Sequence, residues 1–381
     1  MVAAVRRGAS RRAVAREFGV GPGTVARWLA RAGDERLDRV DFTAHSSRPL
    51  RTTRIPLPLE DLILEVREML RAESALGEYG ARAIERELAA RAERGEIDAV
   101  PALRTIGRVI ARRGALLRHR RVRRPAPPPG WYLPAVAARQ AELDSFDVIE
   151  ELRLKGGPVF DILTGVSIHG GIEAAWPGLH VTARTTVDAL AGHWQAHGLP
   201  VYAQFDNDTR FAGVHGFADR LGQVVRFCLA QGVMPVFAPV RESGFQNAIE
   251  SYNARWKAKV WRRFFFPGFD DVVAASVRYV AASRARLAAR IEAAPSRRQI
   301  ADGPSMPAST IVYLRRTDGE GTTRLLGQVI EVDPGWPHRL VRVEVDFDER
   351  SIRCFALRRR APDEQPLLRE LPLAGRVGRS W

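Results

Sequence analysis

Cysteine is scarce in this chain of 381 residues, which contains only Cys228 and Cys354. The two lie far apart and neither belongs to a CxxC motif, so the sequence indicates neither a disulfide framework nor a cysteine zinc site. We expect both thiols to be buried and inert. The chain also has no run of about 18 apolar residues, and its first residues contain no hydrophobic region typical of a signal peptide. We therefore predict a cytoplasmic protein with no membrane span.

Several motifs of nucleotide and acyl chemistry are also missing. There is no Walker A loop, no Gly-rich dinucleotide loop and no GxSxG motif, so ATP, NAD and acyl-transfer functions have no support. His193 and His197 stand four residues apart, but no further ligand lies at a spacing that suits zinc. We interpret these two histidines as part of a solvated helix face.

Lysine is rare as well, and arginine supplies nearly all of the positive charge. Lys and Arg together number 59 against 44 Asp and Glu, which gives a net charge of +15 and a pI near 10.9. Hydrophobic residues make up 45% of the chain and charged residues 27%, a balance typical of globular proteins. Because planar guanidinium groups suit phosphates and guanine edges, this composition favours a polyanionic partner.

Residues 10–33 read as two helices joined by a tight turn. Ser10 is a predicted N-cap, Gly19 permits the turn, Pro22 suits a first helical position and Gly33 ends the second helix. Ala13, Val14 and Phe18 are expected to share a core with Val20, Val25, Trp28 and Leu29. The pattern resembles the helix-turn-helix motif of many bacterial transposases and regulators. That resemblance implies a DNA-binding domain over residues 1–50, with Thr24, Arg27 and Arg31 at the DNA, whereas a purely structural helical hairpin is the alternative.

A second helical block over 55–117 predicts another DNA-binding domain, winged or helix-turn-helix-like. Arg104, Arg108 and Arg112 fall on one face of its last helix, opposite an apolar face, and are candidate DNA contacts. Residues 118–139 then form a basic, Pro-rich linker. Its candidate phosphate ligands are Arg118, Arg120, Arg121, Arg123 and Arg124.

From residue 140 to 294 the pattern becomes α/β. Strands are predicted at ELDSFDVI, PVFDILTGVSI, GGIEAAW, LPVYAQF and VMPVFA, and helices at about 184–197, 217–231, 246–264 and 270–292. This order predicts an RNase H-like domain whose mixed, five-stranded sheet begins with three antiparallel strands. Short strands after residue 300 predict a small C-terminal β-barrel over 300–362, followed by a loosely ordered tail over 363–381. The fold class is therefore multidomain, with all-α modules, an α/β core and a β-barrel.

Three carboxylates in the α/β region can carry chemistry. Asp144 lies on the first predicted strand, Asp206 just after the fourth, and Glu250 early in a following helix. Acidic side chains at neighbouring positions of one sheet can converge on a pair of divalent cations, which promote in-line phosphoryl transfer. In these segments the chain resembles the integrase-core, or DDE, transposases of bacterial insertion sequences, relatives of retroviral integrases.

The match to that family differs among the three positions. After Asp206 the family pattern has Asn, Gly and then Phe; this chain has Asn207 and Phe211, but Asp208 replaces the glycine, which would tolerate a positive φ more easily. For the third acid, the spacing favours Glu242, 36 residues beyond Asp206, whereas the sequence context QNAIESYN favours Glu250. We choose Glu250, because loop insertions are tolerated better than rotations of a helix face.

Two further alternatives concern the neighbours of these acids. Asp147 competes with Asp144 as the first carboxylate; if Leu143 packs into the core, Asp144 and Phe146 project to the opposite side of the strand. Asn253 and Lys257 share a helix face with Glu250, where they are expected to orient the glutamate and contact DNA phosphate.

The resemblance implies a transposase that cleaves DNA at insertion-sequence ends and joins them to target DNA, as a homodimer or higher oligomer. It implies two Mg²⁺ or Mn²⁺ ions held by Asp144, Asp206 and Glu250. A catalytically degenerate, transposase-derived DNA-binding regulator is the main alternative, because of Asp208. A nuclease of the same fold that cuts without joining is another.

Overall fold

The computed structural model describes residues 1–43, 55–114, 128–213, 221–240, 242, 244–300 and 307–373. The chain divides into two compact units, Met1–Leu59 and Glu60–Trp381. Across these described ranges, no helix combines the length and the apolar character that crossing a membrane requires.

The N-terminal unit contains helices α1 (Val2–Arg6), α2 (Arg11–Glu17) and α3 (Pro22–Ala32). Its predicted signals are confirmed: Ser10 Oγ accepts a hydrogen bond from the Ala13 amide at 3.2 Å, and Gly19 turns the chain with φ +64°. Pro22 opens α3 and Gly33 caps it. A third helix, α1, precedes the two predicted helices.

Val14, Ala15 and Val25 form the small core of this unit. The predicted core position of Phe18 is wrong, since 49% of the side chain is exposed, and Ala13 is exposed as well. The reason is length: α2 ends at Glu17, and Phe18 lies at its C-cap rather than on its buried face.

The next block consists of α4 (Leu57–Glu73), α5 (Ala81–Glu93) and α6 (Leu103–Arg112), as predicted for three helices. The buried face of α6 carries Ile106, Val109 and Ile110. The last turn of α4 is capped from far along the chain, because the Arg263 guanidinium donates to the carbonyls of Arg71, Ala72 and Ser74. This contact ties the block to the α/β region.

The α/β region contains seven further helices: α7 (Pro134–Ala137), α8 (Ala183–His197), α9 (Thr209–Ala212), α10 (Gln223–Ala230), α11 (Asn247–Trp256), α12 (Phe269–Arg286) and α13 (Ala288–Glu292). A π-helix, Lys257–Trp261, continues α11. The predicted helices are thus present. The sequence pattern did not predict the short helix α9, and it predicted α12 and α13 as one continuous helix.

Eleven strands are described: β1 (Leu143–Arg153), β2 (Val159–Ser167), β3 (Glu173–Gly178), β4 (Tyr202–Phe205), β5 (Met234–Phe237), β6 (Thr310–Arg316), β7 (Thr322–Leu325), β8 (Gln328–Glu331), β9 (Leu340–Asp346), β10 (Ser351–Ala356) and β11 (Leu367–Pro372). Nine of them form one sheet in the order β11-β10-β9-β6-β5-β4-β1-β2-β3, and β7 pairs with β8. In the centre, β1, β4, β5 and β6 run parallel, whereas both outer parts are antiparallel.

The first five strands have the predicted order and directions, but two C-terminal predictions are wrong. The strands after residue 300 do not form a separate β-barrel, because β6 pairs in parallel with β5 and carries β9, β10 and β11 into the same sheet. The predicted tail contains β11, which pairs with β10. Pairing satisfies the backbone groups of β5, which would otherwise be the edge of a five-stranded sheet.

Hydrophobic side chains cover both faces of this sheet. Phe146, Leu190 and Trp194 belong to a cluster on the face covered by α8 and α10, whereas Ile149, Tyr252 and Trp256 belong to a cluster under α11 and α12. Both cysteines are buried and free, as predicted. Successive side chains of a strand alternate between these two faces. Whether a residue of β1 has an odd or an even number therefore decides which cluster its side chain joins.

Candidate active site

Asp144 and Asp147 of β1 lie on opposite faces of the sheet. Asp144 shares its face with Phe146, in the cluster that contains Trp194 of α8. Asp147 lies on the face of α11, where it contacts Asn253. An odd separation of three residues along a strand produces this division.

Asp144 is enclosed in a buried ion pair. Its Oδ1 and Oδ2 accept hydrogen bonds from the two terminal nitrogens of Arg297 at 2.8 and 2.6 Å, and Oδ2 also accepts from Trp194 Nε1 at 3.0 Å. Burial by itself would raise the pKa of Asp144, but the charge and hydrogen bonds of Arg297 outweigh it and lower the pKa. Both carboxylate oxygens of Asp144 thus already accept hydrogen bonds from other side chains of the protein. The predicted role of Asp144 as a metal ligand does not fit this geometry.

Asp147 has a different set of contacts. Its Oδ2 accepts a hydrogen bond from Asn253 Nδ2 at 2.7 Å, and Asn253 Oδ1 in turn accepts from Thr164 Oγ1 at 2.8 Å. Burial and, less strongly, the charges of Asp206 and Glu250 raise the pKa of Asp147 to about 6, while the charge of Lys257 opposes them. Asp147, the alternative first carboxylate, therefore lies near Asp206 and Glu250.

Asp206 stands at the end of β4, in the same row of the sheet as Asp147. Ser145 pairs with Gln204 across β1 and β4, so the two aspartates are each two residues further along parallel strands. Asp206 Oδ1 accepts a hydrogen bond from the Asp208 amide at 3.1 Å. The pKa of Asp206 is raised, first by burial and then by the neighbouring Asp208.

Asp208 causes no backbone strain at the position where the family has glycine. Its φ is −62°, an ordinary value for any residue, and it is the N-cap of α9. Its carboxylate accepts hydrogen bonds from the backbone and side chain of Arg210, at 2.7 Å from the amide and 2.9 Å from Nε. The extra negative charge beside Asp206 is thus held by a cation of the same turn.

Asn207 is fixed between two strands. Its Nδ2 donates to the Ala238 carbonyl at 2.5 Å, just beyond β5, and its Oδ1 accepts from Arg315 of β6 at 3.0 Å. Sequence reasoning missed Arg315, because β6 was assigned to another domain. The guanidinium group of this residue holds the loop that carries Asp206.

The structure separates the two candidates for the third acid. Glu250 is exposed in the first turn of α11, while Ile249, Tyr252 and Trp256 bury the other side of that helix. Glu242 forms an ion pair with Arg316 at the end of β6. Of these two glutamates, Glu250 is the one whose charge raises the pKa of Asp147.

The three acids differ from their acidic neighbours in one respect. Glu142 is held by the amides of Leu143, His169 and Gly170, and Glu173 pairs with Arg255. Asp147, Asp206 and Glu250 form no ion pair among the described residues. Within that same part of the chain, no three acidic, histidine or cysteine side chains are already arranged as a metal-binding group. The donor set is nevertheless three carboxylates, the oxygen ligands that Mg²⁺ and Mn²⁺ prefer.

Asn253 and Lys257 both act on Asp147, and their contacts with DNA phosphate stay a prediction. Asn253 is only 8% exposed and is occupied by Asp147 and Thr164, so it orients the aspartate rather than the glutamate. Lys257 begins the π-helix and lowers the pKa of Asp147 through its charge. Single-turn π-helices occur often at functional sites.

The remaining DNA-binding candidates are spread over both units. Thr24 and Arg27 lie on α3, and Arg31, also on α3, has its guanidinium 5.2 Å from the Trp28 ring and 3.6 Å from Asp41. Arg104 and Arg108 are exposed on α6, whereas Arg112 pairs with buried Glu60. The linker candidates, Arg118, Arg120, Arg121, Arg123 and Arg124, lie outside the described residues.

His193 does not belong to a solvated helix face, and that interpretation is wrong. It is 5% exposed, its ring meets Trp176 edge-on, and its Nε2 lies 3.8 Å from Asp144 Oδ2. It shares the buried side of α8 with Leu190 and Trp194. Burial lowers the pKa of His193 to about 3, so the ring is neutral.

Solved integrase structures show a limited likeness to this chain. The HTLV-2 integrase catalytic core, in complex with magnesium, is 13% identical and covers 35% of this chain and 81% of its own length, with a TM-score of 0.28. The catalytic core of BIV integrase is 15% identical and covers 37% of this chain and 81% of its own length, also with a TM-score of 0.28. A chain of the simian T-cell lymphotropic virus intasome in complex with the PP2A regulatory subunit B56 gamma is 12% identical. It covers 53% of this chain and 75% of its own length, with a TM-score of 0.31. At these values the likeness assigns no activity. No protein family and no curated protein matches the chain.

Proposed function

We propose that the chain is a metal-dependent polynucleotidyl transferase of the DDE type with an RNase H-like core. The observation that carries this proposal is the convergence of Asp147, Asp206 and Glu250 on one side of the sheet, without an ion pair among the described residues. Three neighbouring carboxylates without an ion-pair partner are costly to hold in the charged form unless a ligand supplies further positive charge. The proposed first acid is Asp147 rather than Asp144.

The positions of the three acids in the topology support the same function. Asp147 lies within β1, Asp206 follows β4, and Glu250 is on the helix after β5. These are the positions that the resemblance to integrase-core transposases implies, with the first acid moved by three residues. The strand order β3-β2-β1-β4-β5 places β1 and β4 side by side at the centre.

The proposed cofactor is Mg²⁺ or Mn²⁺, as two ions held by the three carboxylates. When bound, such ions activate the attacking oxygen and stabilise the leaving oxygen of a phosphodiester. The protein contributes the orientation of the ligands. Asn253 holds Asp147, the Asp208 amide holds Asp206, and Arg315 holds Asn207 beside it.

The proposed substrate is double-stranded DNA, at the ends of an insertion sequence and at its target. The net charge of +15 supports a polyanionic partner. The three N-terminal helices with Thr24, Arg27 and Arg31 are proposed to recognise the element ends, and joining two ends requires at least a dimer on DNA. Cleavage frees a 3′-hydroxyl, which then attacks a target phosphodiester.

The decisive experiment uses duplexes from both borders of the gene, incubated with the purified full chain and Mg²⁺ or Mn²⁺. We expect defined cuts and strands joined to target DNA, both absent from Asp147→Asn and Glu250→Gln. Glu242→Gln is the matched control, because this glutamate has the family spacing but pairs with Arg316. Loss of joining in Glu242→Gln with full activity in Glu250→Gln would contradict the site.

The regulator alternative predicts tight binding without cleavage by the wild-type chain in the same assay. Its motivation was Asp208, and the ordinary φ of that residue removes the expected strain. The nuclease alternative predicts cut strands and no joined products.

A further inference from the structure

A cavity of about 620 Å³ lies beside α11, and none of the three acids of the candidate active site lines it. Its walls come from α11, from the end of α12 together with α13, from the turn between β2 and β3, and from residues 128–132 ahead of β1. Protein sites for small molecules usually measure about 300–1,000 Å³. The size of this cavity therefore suits a small-molecule ligand.

Four buried side chains form what we call the floor of the cavity: Trp131, Val166, Ile168 and Phe245. Trp131 is 2% exposed, and its ring centroid lies 5.6 Å from that of Phe245. Its Nε1 is buried and has no hydrogen-bond acceptor among the described residues. Because a buried donor without an acceptor is unfavourable, a ligand with an acceptor atom gains free energy at this nitrogen.

Three arginines and two glutamates supply the charges of the cavity wall. Arg255 forms an ion pair with Glu173, and Arg286 forms one with Glu78. Arg290 has no ion pair within the part of the chain that the structure describes. The wall therefore carries one positive charge that no carboxylate of the wall compensates.

The guanidinium group of Arg290 is held in place by the backbone of the β2–β3 turn. Its Nε donates to the carbonyl of His169 and its Nη2 to that of Ile168, both at 2.6 Å. A Cβ atom at Gly171 would lie 3.2 Å from Nη1, so the glycine leaves this third nitrogen uncrowded. A guanidinium group that is fixed by neutral acceptors keeps its charge and its remaining N–H groups for an anion such as phosphate.

We propose that this cavity binds a nucleoside monophosphate, with the base on the floor and the phosphate at Arg290. A nucleobase is flat enough for the apolar side chains of the floor and carries oxygen or ring nitrogen atoms that accept from Trp131 Nε1. The phosphate supplies the negative charge that Arg290 lacks. The nucleotide is either a free molecule or the unpaired end of a strand, since both present the same groups.

The test is calorimetric titration of the purified full chain at constant ionic strength, without divalent cation. The ligands are the deoxynucleoside monophosphates of the common bases, the corresponding nucleosides, inorganic phosphate and a short 5′-phosphorylated single strand. A nucleotide should bind more tightly than its nucleoside or inorganic phosphate, because only the nucleotide reaches both the floor and Arg290. Binding of the single strand alone would identify a strand end as the ligand, provided that it depends on the same side chains.

Two variants with matched controls show whether binding occurs in this cavity. Trp131→Phe removes the unpartnered donor and should weaken nucleotide binding about three- to tenfold. Trp256→Phe is its control, because Trp256 is also buried with an unpartnered Nε1 among the described residues but does not line the cavity. Arg290→Gln should weaken binding about tenfold, and Arg290→Lys should restore part of it. Its control is Arg278→Gln, on an exposed arginine of α12 outside the cavity.

Failure of the wild-type chain to bind both the nucleotides and the single strand would overturn the proposal. Equal losses in Arg290→Gln and Arg278→Gln would overturn it too, since net charge alone would then explain the binding. The same holds for equal losses in the two tryptophan variants. Arg290 lies at the exposed edge of the cavity, so its variants report on the site even if a tryptophan variant does not fold. Because neither metal nor cleavage enters the assay, its result is independent of the proposed activity.

Discussion

The two faces of β1 place two aspartates of one strand in opposite situations. On the α8 face, Asp144 is buried with Arg297 and Trp194, and its charge is matched. On the α11 face, Asp147 is oriented by the neutral Asn253 and surrounded by the charges of Asp206 and Glu250. A buried charge with a partner is tolerated by the fold and is destabilising only when that partner is removed, whereas a group of acids without ion pairs favours binding of a cation. The comparison teaches that burial and acidity identify a candidate ligand less well than the absence of a partner does.

The largest expected effect is the loss of DNA cleavage when Asp147, on the α11 face of β1, is substituted. Asp147→Asn should lower DNA cleavage by at least about 10³-fold, since it removes the charge of a proposed metal ligand, while the free energy of unfolding stays nearly unchanged. Cleavage of border duplexes and urea unfolding measure the two quantities. Activity retained in Asp147→Asn but lost in a folded Asp144→Asn would reverse the comparison.

The second effect is on stability from the α8 face. Asp144→Asn leaves the Arg297 charge buried without its partner and should lower the free energy of unfolding by about 3–5 kcal/mol. Asp188→Asn is the matched control, because its pair with Arg184 is exposed and contributes about 1 kcal/mol or less. Equal losses in the two variants by urea unfolding would show that the buried pair has no special role.

A smaller effect is expected from Asn253, which acts through Asp147. Asn253→Ala should reduce cleavage about 10- to 100-fold, as for other residues that orient a metal ligand, and should weaken Mn²⁺ binding in parallel. Asn247→Ala, exposed at the start of the same helix, controls for a general effect on α11. Normal Mn²⁺ binding by Asn253→Ala would mean that this hydrogen bond does not position the site.

Arg315 offers a similar test from the C-terminal strands. Arg315→Leu should reduce cleavage about tenfold by releasing Asn207, and Arg315→Lys should restore part of it because one donor returns. Mn²⁺ titration of the same variants separates a misplaced ligand from a lost DNA contact. If both variants behave as wild type, β6 does not complete the site.

The smallest expected effect is the pH dependence of the α8 face. Burial holds the pKa of His193 near 3, below the value of about 6.5 in an unfolded chain. The unfolded state therefore binds more protons between these values, and stability falls as the pH decreases from about 6.5 towards 3. Thermal unfolding at pH 7 and pH 5 should show a smaller decrease in His193→Gln than in wild type. His180→Gln, on an exposed histidine, should behave as wild type.

The local elements of this chain follow from its sequence. Ser10, Gly19, Pro22 and Gly33 set the bounds of α2 and α3 through capping and turn geometry, which depend only on nearby residues. The alternation of apolar side chains likewise predicted β1 to β5 in order. The sequence context led us to prefer Glu250 over Glu242, and the ion pair of Glu242 with Arg316 supports that proposal.

Partners distant in the chain were not predictable in the same way. Deciding between Asp144 and Asp147 required knowing that Arg297, 153 residues further along the chain, forms an ion pair with Asp144. We predicted a separate β-barrel because the pattern of short strands and turns shows where strands lie along the chain but not which strands pair with each other. Arg315 was missed for the same reason, since its role exists only once β6 lies beside β5.

The sequence by itself determined most of the secondary structure, the order of the α/β elements and the set of acids from which a site can be built. These depend on periodicity, capping and composition, which act over a few residues. Only the tertiary structure decided which aspartate has a cation as its partner, which strands share the sheet, and which arginine holds the loop that carries Asp206. Those outcomes depend on side-chain parity and strand pairing between segments up to about 150 residues apart, since burial and charge compensation are properties of the packed chain.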